Sequence, residues 1–162
     1  MQTSLQPRIV YITGMSGTGK SSLIEYVVAR GYAGIDTDYG DWKIYSAATE
    51  EWILDAAKLL PVLRHPNNAV LFIAGCCSNQ KEFYQFFDCI ILLSGSIETI
   101  LDRVAKRKSN NYGKTEAERN EIIANFQNIE PLLRRHADYE LDADTMSIQQ
   151  MGDKIIAVIE TI

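Results

Sequence analysis

The chain has 162 residues, 46% of them hydrophobic, enough for one buried core and too few for a nucleotide-sized domain plus an independent partner domain, so a single domain spanning 1–162 is expected. Its 16 basic and 21 acidic residues leave a net charge of -5, which argues against broad binding to nucleic acid or to an anionic membrane and favours a small-molecule partner. No run approaches eighteen uninterrupted apolar residues, and Met1-Gln-Thr-Ser-Leu-Gln-Pro7 lacks the basic and apolar regions of a secretion signal, so a soluble, cytoplasmic protein is expected.

The first apolar run, Ile9 to Thr13, has strand length and leads into Gly14-Met-Ser-Gly-Thr-Gly-Lys-Ser21, a full match to G-x-x-x-x-G-K-[ST]. A helical pattern, Lys20 to Arg30, follows at once. Each residue type in this loop has a physical task. Glycines let backbone N–H groups curl around phosphate oxygens, and the next helix presents unpaired donors and the positive end of its dipole. The expected phosphate contacts are Gly14, Ser16, Gly17, Thr18, Gly19, Lys20, Ser21 and Ser22. Lys20 reaches the β- and γ-phosphates of a nucleotide such as ATP, and the Ser21 hydroxyl is a ligand for Mg²⁺.

A second strand, Ala33 to Asp36, ends in Asp36-Thr37-Asp38. In open parallel sheets ligands sit at the carboxyl ends of strands. Two carboxylates two residues apart on an extended segment project to one side, so one can face the Mg²⁺ shell and the other an incoming acceptor. Solvated turn residues would have the same pattern. A helix is expected over Glu50 to Leu60, with Ser46 or Thr49 as its N-cap.

Strands Ala69 to Ala74 and Asp88 to Leu93 are almost continuously apolar, as strands covered on both faces must be. Between them, Gly75-Cys-Cys-Ser-Asn-Gln80 carries no acidic residue, and Ser78, Asn79 and Gln80 serve equally well as substrate donors or as caps of the short segment that follows. Cys76, Cys77 and Cys89 lack metal or redox spacing and read as buried reduced thiols.

The helix Ser96 to Lys108 runs into the polar stretch Ser109 to Lys114. A cationic helix end feeding a glycine-containing loop suits a small lid around 107–115 that brings Arg107 and Lys114 to a transferred phosphoryl group, while Arg103, one turn earlier, can stack on a base. Cations answering a helix dipole would look alike. A long helix, Glu116 to His136, opens with the capping-box pair Thr115 and Glu118 and should break near Glu130 because of Pro131. Strand Tyr139 to Leu141 and helix Ser147 to Ile159 complete an α/β chain: a three-layer α/β/α arrangement on a five-stranded parallel sheet.

With those motifs in place, the chain resembles the small phosphate-loop (P-loop) kinases that include shikimate kinase, gluconate kinase and the adenylate-kinase-like nucleoside monophosphate kinases, as a kinase-type or ATPase-type member, over nearly its whole length. Asp36-Thr37-Asp38 is similar to the Asp-x-Asp of shikimate kinase, which implies that Asp36 helps hold Mg²⁺ and that Asp38 contacts and activates the acceptor. The resemblance places Arg103 on the adenine and makes Ser109 to Lys114 the lid. Two features depart from shikimate kinase: Gly75-Cys-Cys-Ser-Asn-Gln80 stands where its triple glycine would be, and its lid arginine motif is absent. A Gly-Cys followed by aromatic residues also resembles the atypical adenylate kinases of the nucleus. The implied activity is Mg²⁺-dependent transfer from ATP to a small metabolite or nucleotide by a monomer or homodimer; the competing expectation is a nucleotide-binding ATPase or switch with no small-molecule acceptor.

Overall fold

The computed structural model describes residues 6–162; the reading of residues 1–5 as lacking a secretion signal lies outside that range. Five strands form one parallel sheet in the order β2 (Ala33–Asp36), β5 (Val70–Ala74), β1 (Arg8–Gly14), β6 (Cys89–Ser94) and β7 (Tyr139–Asp142). These are the five apolar runs expected. The chain steps from β1 out to β2, returns to β5, then crosses to β6 and β7, so β1 lies at the centre where the direction of winding reverses. Crevices for ligands open at the carboxyl end of such a strand.

Alternation along β1 explains why both faces are covered. Val10 and Ile12 point into a core with Phe72, Ile91 and Leu93, closed by Leu23, Ile24 and Val27 of α1 (Lys20–Ala29) and by Met151 and Ile155 of α6 (Ile148–Ile159). Ile9 and Tyr11 point the other way, against Leu59 and Leu63 of α2 (Ala56–Arg64) and Phe83 of a 3₁₀ helix (Gln80–Phe86). A third cluster joins Leu92 and Met15 to Ile100 and Val104 of α3 (Ile97–Lys106), Ile122 of α4 (Glu116–Asn128) and Leu133 of α5 (Glu130–His136). The three layers are thus present.

Helix ends follow their local chemistry. Ser96, Thr115 and Ser147 each cap a helix through the side-chain oxygen, and Thr115 with Glu118 forms the expected capping box. The long helical pattern divides at Ile129, with Pro131 in the first turn of α5, where its missing N–H is harmless.

One expectation is overturned. Glu51–Leu54 is not the start of a helix but strand β4, paired antiparallel with β3 (Lys43–Ser46), and the helix begins only at Ala56 after Asp55 accepts the Ala57 N–H at 3.0 Å. Ser46 and Thr49 lie in the hairpin and cap no helix. A distant residue favours the extended form: Asn79 receives the Leu54 N–H at its Oδ1 and donates its Nδ2 to the Leu54 carbonyl, both at 3.0 Å. That clasp mimics a sheet neighbour and is invisible to local propensity.

Phe72 is fully buried at the centre of the first core. Phe72→Ala is expected to lower the unfolding free energy by about 3–5 kcal/mol. Urea titration with an unchanged slope would confirm it, and a loss under about 1 kcal/mol would show that this side of the sheet collapses around the cavity.

Candidate nucleotide and acceptor site

The loop between β1 and α1 is shaped by its glycines. Gly17 and Gly19 have φ of 84° and 104°, a left-handed region that side chains with Cβ resist. A Cβ on Gly17 would also stand 2.9 Å from Val104 Cγ2 and 3.0 Å from the Ile100 carbonyl oxygen, so the loop lies directly against α3. Thr18, buried, ties the loop internally by donating its hydroxyl to the Met15 carbonyl at 2.8 Å. The first-turn N–H groups of α1 have no intrahelical acceptor.

Those groups open on a cleft of about 310 Å³ lined on one side by Ser16, Gly17, Gly19, Lys20, Ser21 and Ser22. Its other walls include Asp38, Arg103 and Arg107. Of the expected phosphate contacts, only Gly14 and Thr18 do not line it; they support the loop from behind. Lys20 is only 8% exposed, and its ammonium donates to the carbonyls of Gly14 at 2.7 Å and Met15 at 2.9 Å. An ammonium has three donors, so one remains for the cleft.

A second cleft, of about 330 Å³, adjoins the first and shares Ser16, Lys20, Asp38 and Asn110 with it. Lys43, Cys76, Tyr112 and Asn125 complete its polar wall, with Met15 and Ile122 as apolar surface. Lys20 and Asp38 therefore stand on the border between two spaces. Lys43 Nζ lies 2.5 Å from Asp38 Oδ1. Burial raises the Asp38 pKa, yet Lys20, Lys43 and Arg107 together outweigh it and hold the carboxyl below its ordinary value. The Lys43 ammonium is raised in turn by the same pair, burial opposing.

Arg103 bridges elements: one Nη donates to the Thr18 carbonyl at 3.4 Å, the other to the Ala143 carbonyl at 2.9 Å. Arg107 donates to the Tyr112 carbonyl at 2.9 Å, and its buried Nε has no acceptor among the described residues. Two other expected residues face elsewhere. Lys114 donates to the carbonyls of Ala105 at 2.8 Å and Arg107 at 2.6 Å, capping the end of α3, and lines neither cleft. Asp36 accepts the Asp38 N–H at 3.0 Å and likewise lines neither, which makes it a turn former in this conformation.

Ser78, Asn79 and Gln80 serve structure. Ser78 donates to Glu51 at 2.7 Å, Asn79 clasps Leu54, and buried Gln80 links Tyr11, the Cys77 N–H and Tyr84. The three thiols are unpaired, and only Cys89 is fully buried. Burial, opposed in part by Lys43, pushes Cys77 up to about 11, so it is a neutral thiol near pH 7. Sequence reasoning missed Lys43 and Asn125. An asparagine in the interior of a helix was the one available signal, since it opposes helix propensity.

Among the described residues no cluster of three or more His, Cys, Asp or Glu could hold a metal. Mg²⁺ typically keeps waters and takes one or two protein oxygens plus phosphate oxygens, and the Ser21 hydroxyl in the first cleft fits that modest demand.

The Asp38–Lys43 pair has a definite pH signature. Because the folded-state pKa of Asp38 is lowered, its stabilisation is complete above the ordinary aspartate value and is lost as pH falls through the lower one. Asp38→Asn is expected to lose stability at neutral pH, with the gap to the native chain closing in the acid range; urea titrations at a series of pH values measure it, and a gap that stays constant would contradict the pairing.

A family model described as AAA domain matches residues 10–124. No curated protein matches. Among solved structures the chain is similar to the shikimate kinase from Acinetobacter baumannii in complex with shikimate, with a TM-score of 0.70 and 18% identity over 97% of this chain and 95% of that one. It is similar to the shikimate kinase from Bacteroides thetaiotaomicron, with a TM-score of 0.68 and 18% identity over 94% and 98% of the two chains. A third likeness is to TT1252 from Thermus thermophilus, with a TM-score of 0.61 and 18% identity over 97% and 98%. From its glycine loop, its sheet order and these matches, the chain belongs to the AAA domain family and carries the fold of the small phosphate-loop kinases.

Proposed function

We propose that this protein is an ATP-dependent phosphotransferase that moves the γ-phosphoryl group to a small-molecule acceptor. The observation that carries the reading is the border position of Lys20 and Asp38, with Arg107 close enough to act on Asp38, between a cleft lined along the loop as far as Ser22 and a second cleft that the loop touches only at Met15, Ser16 and Lys20. A hydrolase needs room for water beside the phosphates; a transferase needs a separate, shaped space for an acceptor.

In this reading the loop amides and the N-terminus of α1 hold the phosphates, Ser21 takes part in binding Mg²⁺, and Arg103 fixes the loop to α3 at the base end of the first cleft. Bound Mg²⁺ supplies charge neutralisation at the phosphate oxygens. Lys20 directs its remaining donor to the oxygens whose charge grows during transfer, and Arg107 adds a second cation from the 107–115 segment, which acts as the lid. Asp38 is held ionised by three cations, which makes it a weak base. Its chief contribution is to accept a hydrogen bond from the acceptor hydroxyl and line it up; in a loose transition state the proton leaves late. Lys114 contributes by bracing the end of α3 that carries Arg107.

The test is ADP release from MgATP by the purified protein, with and without a panel of small acceptors. Stimulation by an acceptor is expected; turnover that ignores every acceptor would move a nucleotide-dependent hydrolase or switch to first place. Lys20→Ala is expected to cut acceptor-dependent turnover by about 10²–10³-fold with an unchanged circular dichroism spectrum. Transfer retained by the folded variant would remove Lys20 from the mechanism.

A further inference from the structure

The second cleft carries an unusual charge balance for a space meant to hold a phosphoryl acceptor. Its two cations are already engaged: Lys20 by the loop carbonyls and the phosphate side, Lys43 by Asp38. No arginine lines it. Arg107 faces the first cleft, and Arg134 is committed to Glu130 and Glu140, each at 2.8 Å. A carboxylate or phosphate on the acceptor would have to break the Lys43 pair and would then face the ionised Asp38 at close range, a like-charge contact that acts as rejection. Anion-binding sites usually present spare, forked guanidinium donors, and this cleft has none.

What the cleft does present is neutral. Ser16 and Asn125 offer donors and acceptors suited to hydroxyl groups, Asn110 adds its amide nitrogen while its Oδ1 takes the Tyr112 N–H at 2.8 Å, and Tyr112, whose hydroxyl donates to Glu121, adds an acceptor oxygen, over the apolar surface of Met15 and Ile122. A further feature lies outside the cleft, on the hairpin strand that carries Lys43. Tyr45 stands two residues beyond Lys43 on the same face of β3, about 7 Å further out. It pairs across the hairpin with Trp52, ring centroids 5.7 Å apart and edge to face. Trp52 is 64% exposed, an unusual amount for so large an aromatic surface. Aromatic faces in that position can stack on the flat side of a ring.

Resting on the phosphotransferase reading, we propose that the acceptor is an uncharged, hydroxyl-bearing ring compound, bound in the second cleft with its ring against the Tyr45–Trp52 edge and one hydroxyl at Asp38. In the transfer, the acceptor hydroxyl oxygen forms the new bond to the γ-phosphorus. The bond from that phosphorus to the β–γ bridging oxygen breaks, ADP leaves with the electron pair, and the hydroxyl proton passes by way of Asp38 to water. The charge of the acceptor is the discriminating property. Sugars, cyclitols and nucleosides share the required chemistry, whereas nucleoside monophosphates, gluconate and shikimate carry an anion that this cleft rejects.

The experiment measures ADP release from MgATP with two sets of acceptors. One set holds neutral rings: hexoses, pentoses, inositol and the common nucleosides. The other holds their anionic counterparts: nucleoside monophosphates, gluconate and shikimate. The expected result is stimulation confined to the neutral set, its members separating sugar from nucleoside. Stimulation by an anionic acceptor would overturn the charge inference and leave the kinase reading standing. High turnover indifferent to all acceptors would overturn both, and silence across both sets with nucleotide still bound would overturn the inference. Two variants add a geometric test, each checked for folding by circular dichroism. Trp52→Ala, on the exposed hairpin, is expected to raise the KM of the active acceptor about tenfold, with a much smaller effect on the KM for ATP. Asn125→Arg, which supplies the missing cation, is expected to lower kcat/KM for the neutral acceptor about tenfold and to admit anionic ones. Unchanged selectivity in both folded variants would place the acceptor elsewhere.

Discussion

A buried ammonium organises this molecule. Lys20, 8% exposed, sits where the central strand ends, and its charge is tolerable there only because the Gly14 and Met15 carbonyls turn toward it. That turn in the backbone is what makes the loop concave, and the concavity aims the first-turn amides of α1 outward. The packing behind follows the same demand. Val104 and Ile100 approach the loop so closely at Gly17 that α3 is held in one position, and α3 in turn sets Arg103 and Arg107 along the cleft.

At this centre two sets of side chains meet, each lining one of the adjoining clefts. On one side lie loop amides, Ser21, Arg103 and Arg107, a wall made for polyanions. On the other lie Lys43, Asn125, Tyr112 and Cys76, with charge matched inside the wall itself. Asp38 belongs to both. A carboxylate surrounded by Lys20, Lys43 and Arg107 is stabilised as an anion, which suits the orienting role proposed for it better than that of a strong base. In the proposed reaction that division lets one carboxylate orient a neutral hydroxyl against a highly charged phosphate without repelling it.

The hairpin of β3 and β4 is joined to this site by polar residues that follow β5. Asn79 clasps Leu54, Ser78 binds Glu51, and Gln80 lies buried beneath them among Tyr11, Thr13 and Tyr84. A segment without acidic residues, which at first sight lacks chemistry, is therefore the mount that positions Lys43. Loss of this mount would free Lys43 from Asp38 and change the charge of the second cleft.

The sequence by itself determined the sheet and the loop. Strands covered on both faces must be continuously apolar, a glycine-rich turn before a helix has few other uses, and the Thr115–Glu118 capping box and Pro131 mark helix ends through purely local bonds. All of these are properties of one segment and its near neighbours, so periodicity and spacing report them. The hairpin, the inward turn of Asp38 rather than Asp36, the bracing role of Lys114 and the entry of Lys43 and Asn125 were decided by tertiary structure alone. Asp36 and Lys114 are held by backbone groups two to nine residues away whose direction periodicity does not report, Asn125 reaches the cleft from a helix remote in the chain, and Glu51 to Leu54 became a strand because Asn79, 25 residues beyond Leu54, supplied the hydrogen bonds that a helix would have supplied internally.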